Sequence, residues 1–161
     1  MTHCEGGPLG LPHNFTSVLR CRYAADLCPK LTWVAQVFRD VADALSYLHS
    51  TGICMSDIFA HNIIVTEEGE ATVLDFGGSF FYDRSWGVHF EKGEVRAFGI
   101  LLMDMLVRAD PEDSSLPLAG REALFTLGKT CTAEDPANRP LFAEAKAQLS
   151  KIAQKNKASL S

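Results

Sequence analysis

The sequence has no apolar run long enough to cross a membrane. The longest, Phe98 to Met103, covers six residues, whereas a membrane-spanning helix needs about 20. The first thirteen residues, MTHCEGGPLGLPH, are too rich in Gly, Pro and polar residues for a signal peptide. We therefore expect a protein without a membrane span.

Cysteine pairs typical of disulfide frameworks or metal sites are also missing. The five cysteines stand at positions 4, 21, 28, 54 and 131, and no two of them form a C-x-x-C pair. An odd number of scattered cysteines is typical of free thiols in a reducing compartment. The sequence therefore predicts a cytoplasmic location.

An excess of positive charge is absent as well. Fifteen Lys and Arg residues face twenty Asp and Glu, for a formal net charge of −5. This balance argues against a nucleic-acid surface and against binding to an anionic membrane. The length of 161 residues suits one domain with a substantial core, and a hydrophobic fraction of 47% is ordinary for a globular protein.

Three oxygen-bearing side chains recur at fixed intervals in the stretch from Met55 to Gly77. Asn62 follows Asp57 by five positions, and Asp75 follows Asp57 by eighteen and opens the tripeptide Asp-Phe-Gly. Between them lie two β-type runs, 62–65 and 71–74, joined by a turn in which Gly69 is able to take positive φ. This hairpin brings the three side chains to one end, and such ligands suit Mg²⁺.

The stretch resembles the catalytic loop and metal-binding segment of the eukaryotic-type protein kinases, H-R-D-x4-N followed by D-F-G. The resemblance implies that Asp57 is the catalytic base and that Asn62 and Asp75 bind Mg²⁺ ions, which in the family bridge the phosphates of ATP. The alternative is an ordinary acidic hairpin, but the combined spacing of both motifs favours the kinase interpretation.

The N-terminal segment MTHCEGGPL resembles the kinase hinge. On this interpretation the backbone of His3 and Cys4 faces the adenine ring of ATP. The alternative is a disordered terminus.

Helical periodicity flanks the hairpin on both sides. Apolar residues predict a helix from Thr32 to His49, with Thr32 as N-cap and Gly52 as a stop signal. The run from Glu94 to Leu106 predicts a central buried helix. It resembles the kinase helix whose first Asp braces the catalytic loop, a role that falls to Glu94. Two further helices are predicted at 121–130 and 142–153.

The segment from Gly78 to Gly93 corresponds to the kinase activation segment and carries no A-P-E motif. Because it is short and strongly aromatic, we expect its side chains to pack down on the molecule. Arg139 lies in a turn that resembles the C-x3-D-P-x-x-R-P turn of kinases, where the Arg pairs with the Glu of A-P-E. We expect Arg139 to find another carboxylate.

These matches predict a mainly α member of the α+β class: a kinase-like C-terminal lobe with one small β-hairpin. The predicted domain covers residues 1–154, followed by a polar tail at 155–161. The N-terminal lobe is expected to be absent, because the sequence contains neither a Gly-rich phosphate loop nor a strand Lys. The motif E-V-R-A-F-G resembles a divergent bacterial-type branch that is often joined to leucine-rich repeats.

The catalytic loop departs from the family at several positions. Met55 and Ser56 replace His and Arg, and Phe59 stands where serine/threonine kinases carry a Lys. His61 stands where tyrosine kinases often carry an Arg. It either replaces that charge in part or is a hydrogen-bonded loop histidine.

Two functions remain open at this point. The first is a protein kinase domain that transfers the γ-phosphate of ATP to a hydroxyl of a protein substrate. The second is a non-catalytic, pseudokinase-type module whose open face docks a protein partner or a second copy of the chain. Retention of Asp57, Asn62 and Asp75 favours the first, while the missing phosphate-binding lobe leads us to expect that the isolated chain is inactive.

Overall fold

Four helices and five short strands make up the part of the chain that the computed structural model describes, residues 6–14 and 21–159. The helices are α1 (Leu31–Ser50), α2 (Arg84–Arg108), α3 (Leu118–Cys131) and α4 (Phe142–Ser159). The strands are β1 (Gly7–Pro8), β2 (Ile53–Cys54), β3 (Ile63–Val65), β4 (Ala71–Val73) and β5 (Phe80–Phe81). The prediction of a mainly helical molecule with a small sheet is confirmed.

The strands form two small antiparallel sheets. In the first, β3 lies between β1 and β4, with Ile63 opposite Val73 and Gly7 opposite Val65. The predicted hairpin is β3–β4, and Gly69 in its turn has a φ of 86°. The second sheet pairs β2 with β5. The prediction of a single hairpin is incomplete, because two-residue strands are too short to produce an alternating pattern.

The core lies where α1, α2 and α4 meet. Phe38, Phe98 and Phe142 are all essentially inaccessible to solvent. The ring of Phe98 lies 5.2 Å from that of Phe38 and 5.3 Å from that of Phe142, in edge-to-face contacts that aromatic pairs prefer. Each helix thus contributes one ring, and α2 lies at the centre, as predicted.

The start of α1 is capped by a distant loop. The helix begins at Leu31, whose N–H donates to the Asp113 carboxylate at 2.7 Å, and the Thr32 N–H donates to the Ser115 hydroxyl. The prediction of Thr32 as N-cap is therefore wrong: Thr32 lies inside the helix, and Asp113, 82 residues away, accepts from its first turn. At the other end Gly52 has a φ of 75° and follows the last turn, as expected.

Helix α2 begins ten residues before the predicted Glu94, at Arg84. Asp83 caps it, because its carboxylate accepts a hydrogen bond from the Ser85 N–H at 2.8 Å. Ten of the sixteen residues of the predicted activation segment are therefore helical. The expectation that its aromatic side chains pack down is wrong for Phe80, Phe81 and Phe90, which are 38%, 82% and 43% exposed.

The remaining two helices are longer than predicted. Helix α3 begins at Leu118 rather than residue 121, and α4 continues to Ser159, into the segment predicted as a polar tail. Helices α2 and α3 approach closely at Gly99, where an added Cβ would lie 2.5 Å from the Cβ of Cys131. That contact requires a residue without a side chain.

Candidate functional site

The loop that follows β2 is held by one buried carboxylate. Glu94 of α2 is 6% exposed, and its carboxylate accepts hydrogen bonds from the Ser56 N–H at 2.6 Å and the Met55 N–H at 3.2 Å. Met55 itself is fully buried, and Ser56 has a φ of 71°, a conformation that L-residues rarely adopt. The bracing role predicted for Glu94 is therefore confirmed.

Glu94 is in turn held by His49 from the end of α1. The His49 Nε2 lies 2.7 Å from the Glu94 carboxylate, and the His49 Nδ1 lies 4.0 Å from the carboxylate of Glu91. The Tyr82 hydroxyl donates to Glu91 at 2.5 Å. This chain of contacts ties the segment after β5 to the loop that contains Asp57.

The environment of Glu94 favours its charged form. Burial acts to raise the pKa of Glu94, but hydrogen bonds from His49, the Ser56 N–H and Cys54 outweigh it and hold the pKa below its usual value. Conversely, burial and the neighbouring charge of Glu94 raise the pKa of the Cys54 thiol to about 12. The loop is therefore anchored on a carboxylate ion beside a neutral thiol.

Asp57 and Asn62 are joined directly, as their spacing predicts. The Asn62 Nδ2 donates to the Asp57 carboxylate at 2.9 Å and to the Asp57 carbonyl at 3.1 Å. Asn62 is 5% exposed and ends a short 3-10 turn, Ala60–Asn62, that leads into β3. The amide thereby fixes the orientation of the Asp57 carboxylate.

The hairpin brings Asp75 to the same end of the molecule. The Leu74 N–H donates to the Asn62 carbonyl at 2.8 Å, so the residue before Asp75 is bonded to Asn62 itself. Asp75 has a φ of 59°, and its carboxylate accepts the Gly77 N–H at 3.1 Å. A Cβ added to the neighbouring Gly78 would lie 3.8 Å from the Cβ of Asp57. The structure thus brings Asp57, Asn62 and Asp75 together.

The donor set fits a magnesium ion that takes most of its ligands from elsewhere. Within residues 6–14 and 21–159, no group of three or more His, Cys, Asp or Glu side chains is arranged to hold a metal. Mg²⁺ in phosphoryl-transfer sites needs only one or two protein oxygens, with phosphates and water completing the shell. The Asn62 amide directs Nδ2 to Asp57, so its oxygen and the exposed Asp75 carboxylate are the two groups that could hold such an ion.

The predicted adenine contacts cannot be placed, because His3 and Cys4 lie outside the described residues.

Arg139 lies in the described part of the chain, and the expectation that it pairs with a carboxylate is wrong. Its guanidinium donates to three backbone carbonyls, those of Lys92, Ala133 and Glu134, at 2.8 to 3.1 Å. Carbonyl oxygens of α2 and of the loop that follows α3 replace the missing acid.

Sequence reasoning missed the functional connection of three residues: His49, Tyr82 and Glu91. His49 is buried against Glu94. No periodic signal reveals such a contact, because its partners are 33 to 45 residues apart.

Of the described helices, none is long and apolar enough to cross a membrane.

Comparisons with known proteins find protein kinases. A family model described as protein tyrosine and serine/threonine kinase matches residues 11–85, which include Asp57, Asn62 and Asp75. A probable LIM domain-containing serine/threonine-protein kinase of Dictyostelium discoideum is 27% identical over 71% of this chain and 23% of its own length. The serine/threonine/tyrosine-protein kinase HT1 of Arabidopsis thaliana is 25% identical over 73% of this chain and 40% of its own.

A third relative is the mitogen-activated protein kinase kinase kinase dlk-1 of Caenorhabditis elegans, which is 26% identical over 67% of this chain and 16% of its own length. The family model and these relatives support a relation to the eukaryotic-type protein kinase superfamily over part of the chain. It spans at most 40% of the length of these three relatives.

Proposed function

We propose that this chain is the C-terminal lobe of a protein kinase domain and that it carries the groups for phosphoryl transfer from ATP to a hydroxyl of a protein substrate. The observation that supports this most strongly is the hydrogen bond from Asn62 to the carboxylate of Asp57, with Asp75 held beside Asn62 by the hairpin. A structural hairpin has no need of an oriented carboxylate at its open end.

In this proposal Asp57 orients the substrate hydroxyl and accepts its proton. The proton lies within reach only if the carboxylate is fixed, and the Asn62 amide fixes it. Glu94 holds the backbone on which Asp57 stands, so Glu94 is a positioning residue. Mg²⁺, when bound, neutralises the developing phosphate charge, and Asn62 and Asp75 are the residues that would hold it.

The adenine ring of ATP is proposed to lie against the backbone of His3 and Cys4. The phosphate-binding lobe is to be supplied from outside the 161 residues, so we expect the isolated chain to bind Mg²⁺-ATP weakly or not at all. The protein substrate and the cytoplasmic location stay predictions.

A nucleotide titration tests the metal ligands. The chain is combined with the N-terminal lobe of a protein kinase, in cis or as a second polypeptide, and Mg²⁺-ATP binding is followed by thermal shift. Asp75→Asn should weaken Mg²⁺-dependent binding at least tenfold, because it removes one charged ligand. Glu68→Gln, on the exposed turn between β3 and β4, is the control and should bind as the wild type does. Equal affinity for Asp75→Asn and wild type would sink this assignment.

One observation favours the second function, a non-catalytic docking module. Phe76, Phe80, Phe81 and Phe90 expose 38% to 82% of their surface beside the Asp75 segment, and large exposed apolar patches mark interaction sites. This face would dock a protein partner or a second copy of the chain.

Light scattering after gel filtration tests self-association: wild type should form dimers at high concentration, and Phe81→Ser should remain monomeric. A monomeric wild type at all concentrations would contradict self-association.

A further inference from the structure

Two histidines with unsatisfied ring nitrogens lie against each other beside the candidate site. The Nε2 of His13 and the Nδ1 of His61 are the buried side-chain nitrogen or oxygen atoms without a hydrogen-bond partner in the described part of the chain. Their rings are 4.6 Å apart, and both contact the ring of Phe59, at 4.6 and 5.8 Å. One of the two alternatives for His61 is a hydrogen-bonded loop histidine, but its Nδ1 has no hydrogen-bond partner in the described part of the chain.

Such an arrangement is costly unless something else binds there. A buried donor or acceptor left unpaired loses its hydrogen bonds to water and gains none from the protein. Pairs of this kind in native proteins commonly mark a water or ion that completes the site. One species that accepts the lone pairs of both nitrogens at once would remove both deficits. Phe59 carries no nitrogen or oxygen in its side chain, and an aromatic ring is only a weak acceptor for an N–H group.

The backbone holds both histidines in place without help from the ion. The Gly10 N–H donates to the Ala60 carbonyl at 3.1 Å, one residue before His61. The Leu11 N–H donates to the Arg22 carbonyl at 2.7 Å, and the Arg22 guanidinium donates to the carbonyl of Pro12, next to His13. The two rings are therefore preorganised neighbours rather than a chance contact of free side chains.

We propose that His13 and His61 together bind one divalent transition-metal ion of the Zn²⁺ class. Neutral imidazole nitrogens suit Zn²⁺, Cu²⁺ and Ni²⁺. With metal–nitrogen distances of about 2.0–2.1 Å, two imidazoles bound at the tetrahedral angle of Zn²⁺ have ring centres roughly 5 Å apart. The observed separation is 4.6 Å. Two protein ligands leave the other positions to water, so the expected affinity is micromolar.

This site is separate from the proposed Mg²⁺ site in its chemistry. Asn62 and Asp75 offer oxygen atoms, which suit Mg²⁺, whereas the histidine pair offers only nitrogen. The proposal does not depend on kinase activity, since binding is measured without nucleotide. Failure of one proposal therefore leaves the other standing.

Calorimetric titration of the metal-free 161-residue chain with Zn²⁺ tests the proposal. Wild type should bind one ion, and His13→Gln and His61→Gln should each weaken binding at least tenfold while circular dichroism stays unchanged. His89→Gln, which replaces an exposed histidine of α2, is the matched control and should bind as the wild type does. No Zn²⁺ binding up to millimolar concentration, or binding that survives both substitutions, would overturn the proposal.

A ligand replacement gives a second readout that loss of folding cannot imitate. His13→Cys keeps a metal-binding atom at the same place. Co²⁺ bound to this variant should show a thiolate-to-cobalt charge-transfer band that is absent from wild type. A Co²⁺ spectrum of His13→Cys identical to that of wild type would place the ion elsewhere and contradict the proposal.

Discussion

At the scale of single residues, the loop that carries Asp57 depends on one buried carboxylate. Glu94 holds the N–H groups of Met55 and Ser56 and the ring of His49. Hydrogen bonds to a buried charged group are worth about 1.5–3 kcal/mol each. Asp57 is thus placed by a residue that lies 37 positions later in the sequence and on another element.

Substitution of Glu94 tests this dependence. Glu94→Gln keeps the shape but removes the charge, and it should lower the free energy of unfolding by about 2–4 kcal/mol. Chemical denaturation measures the loss, and amide hydrogen exchange at Met55 and Ser56 should accelerate. The matched control is Glu112→Gln, an exposed acid in the loop after α2, which should change neither. Unchanged exchange at the two amides would show that Glu94 does not hold the loop.

The residues of the site were predictable to different degrees. Asp57, Asn62 and Asp75 could be found because their spacing along the chain is fixed by one loop and one hairpin. His49 and Tyr82 could not, because their contacts join α1, β5 and α2 and depend on tertiary packing. The prediction of a carboxylate partner for Arg139 is wrong because its partners are backbone carbonyls. No sequence pattern indicates contacts to backbone carbonyls.

At the scale of elements, the capping of helix ends and the close packing of helices determine the position of the site. The N-terminus of α1 is capped by Asp113, whose carboxylate also accepts the N–H and hydroxyl of Ser115. Burial acts to raise the pKa of Asp113, but the hydrogen bonds from Leu31 and Ser115 outweigh it and lower that pKa. The loop after α2 and the start of α1 are therefore one structural unit.

Removal of this cap should destabilise the protein. Asp113→Ala leaves the Leu31 N–H unpaired and should lower the free energy of unfolding by about 1–2 kcal/mol. Asp113→Asn keeps an acceptor and should lose less. Urea denaturation of the three proteins gives the order wild type, Asp113→Asn, Asp113→Ala. If Ala were tolerated as well as Asp, the cap would contribute nothing.

Two glycines of α2 provide a matched pair that tests the packing of α2 on α3. Gly99→Ala places a methyl group 2.5 Å from the Cβ of Cys131 and should destabilise the protein by about 1–3 kcal/mol. Gly93→Ala meets no atom within 4 Å and should stabilise it by about 0.5–1 kcal/mol, since Ala favours the helix. Thermal denaturation should separate the two variants in opposite directions. Equal melting temperatures would contradict the observed approach of the helices.

At the scale of the whole molecule, stability should depend on pH through buried carboxylates. The folded pKa values of Glu94 and Asp113 lie below their unfolded values of about 4.3 and 3.9. Their contribution is therefore complete above these values and is lost as the pH falls through the folded pKa. The free energy of unfolding should fall below about pH 4, and Glu94→Gln should flatten this fall. An equally steep fall in Glu94→Gln would exclude Glu94 as its source.

The prediction of a mainly helical molecule with a small sheet succeeded because apolar residues at helical spacing predict α1 and a long apolar run predicts α2. The predicted helix boundaries were wrong where a cap lies far away in sequence or where aromatic residues precede the helix, as at Arg84.

The measurement that tests the central claim is phosphoryl transfer from radiolabelled ATP to a generic protein substrate, with the chain joined to a kinase N-terminal lobe. Wild type should transfer phosphate, and Asp57→Asn should lower kcat by about 10²–10⁴-fold with Mg²⁺-ATP affinity unchanged. Transfer by Asp57→Asn at the wild-type rate, or no transfer and no Mg²⁺-ATP binding by the joined wild type, would contradict the account.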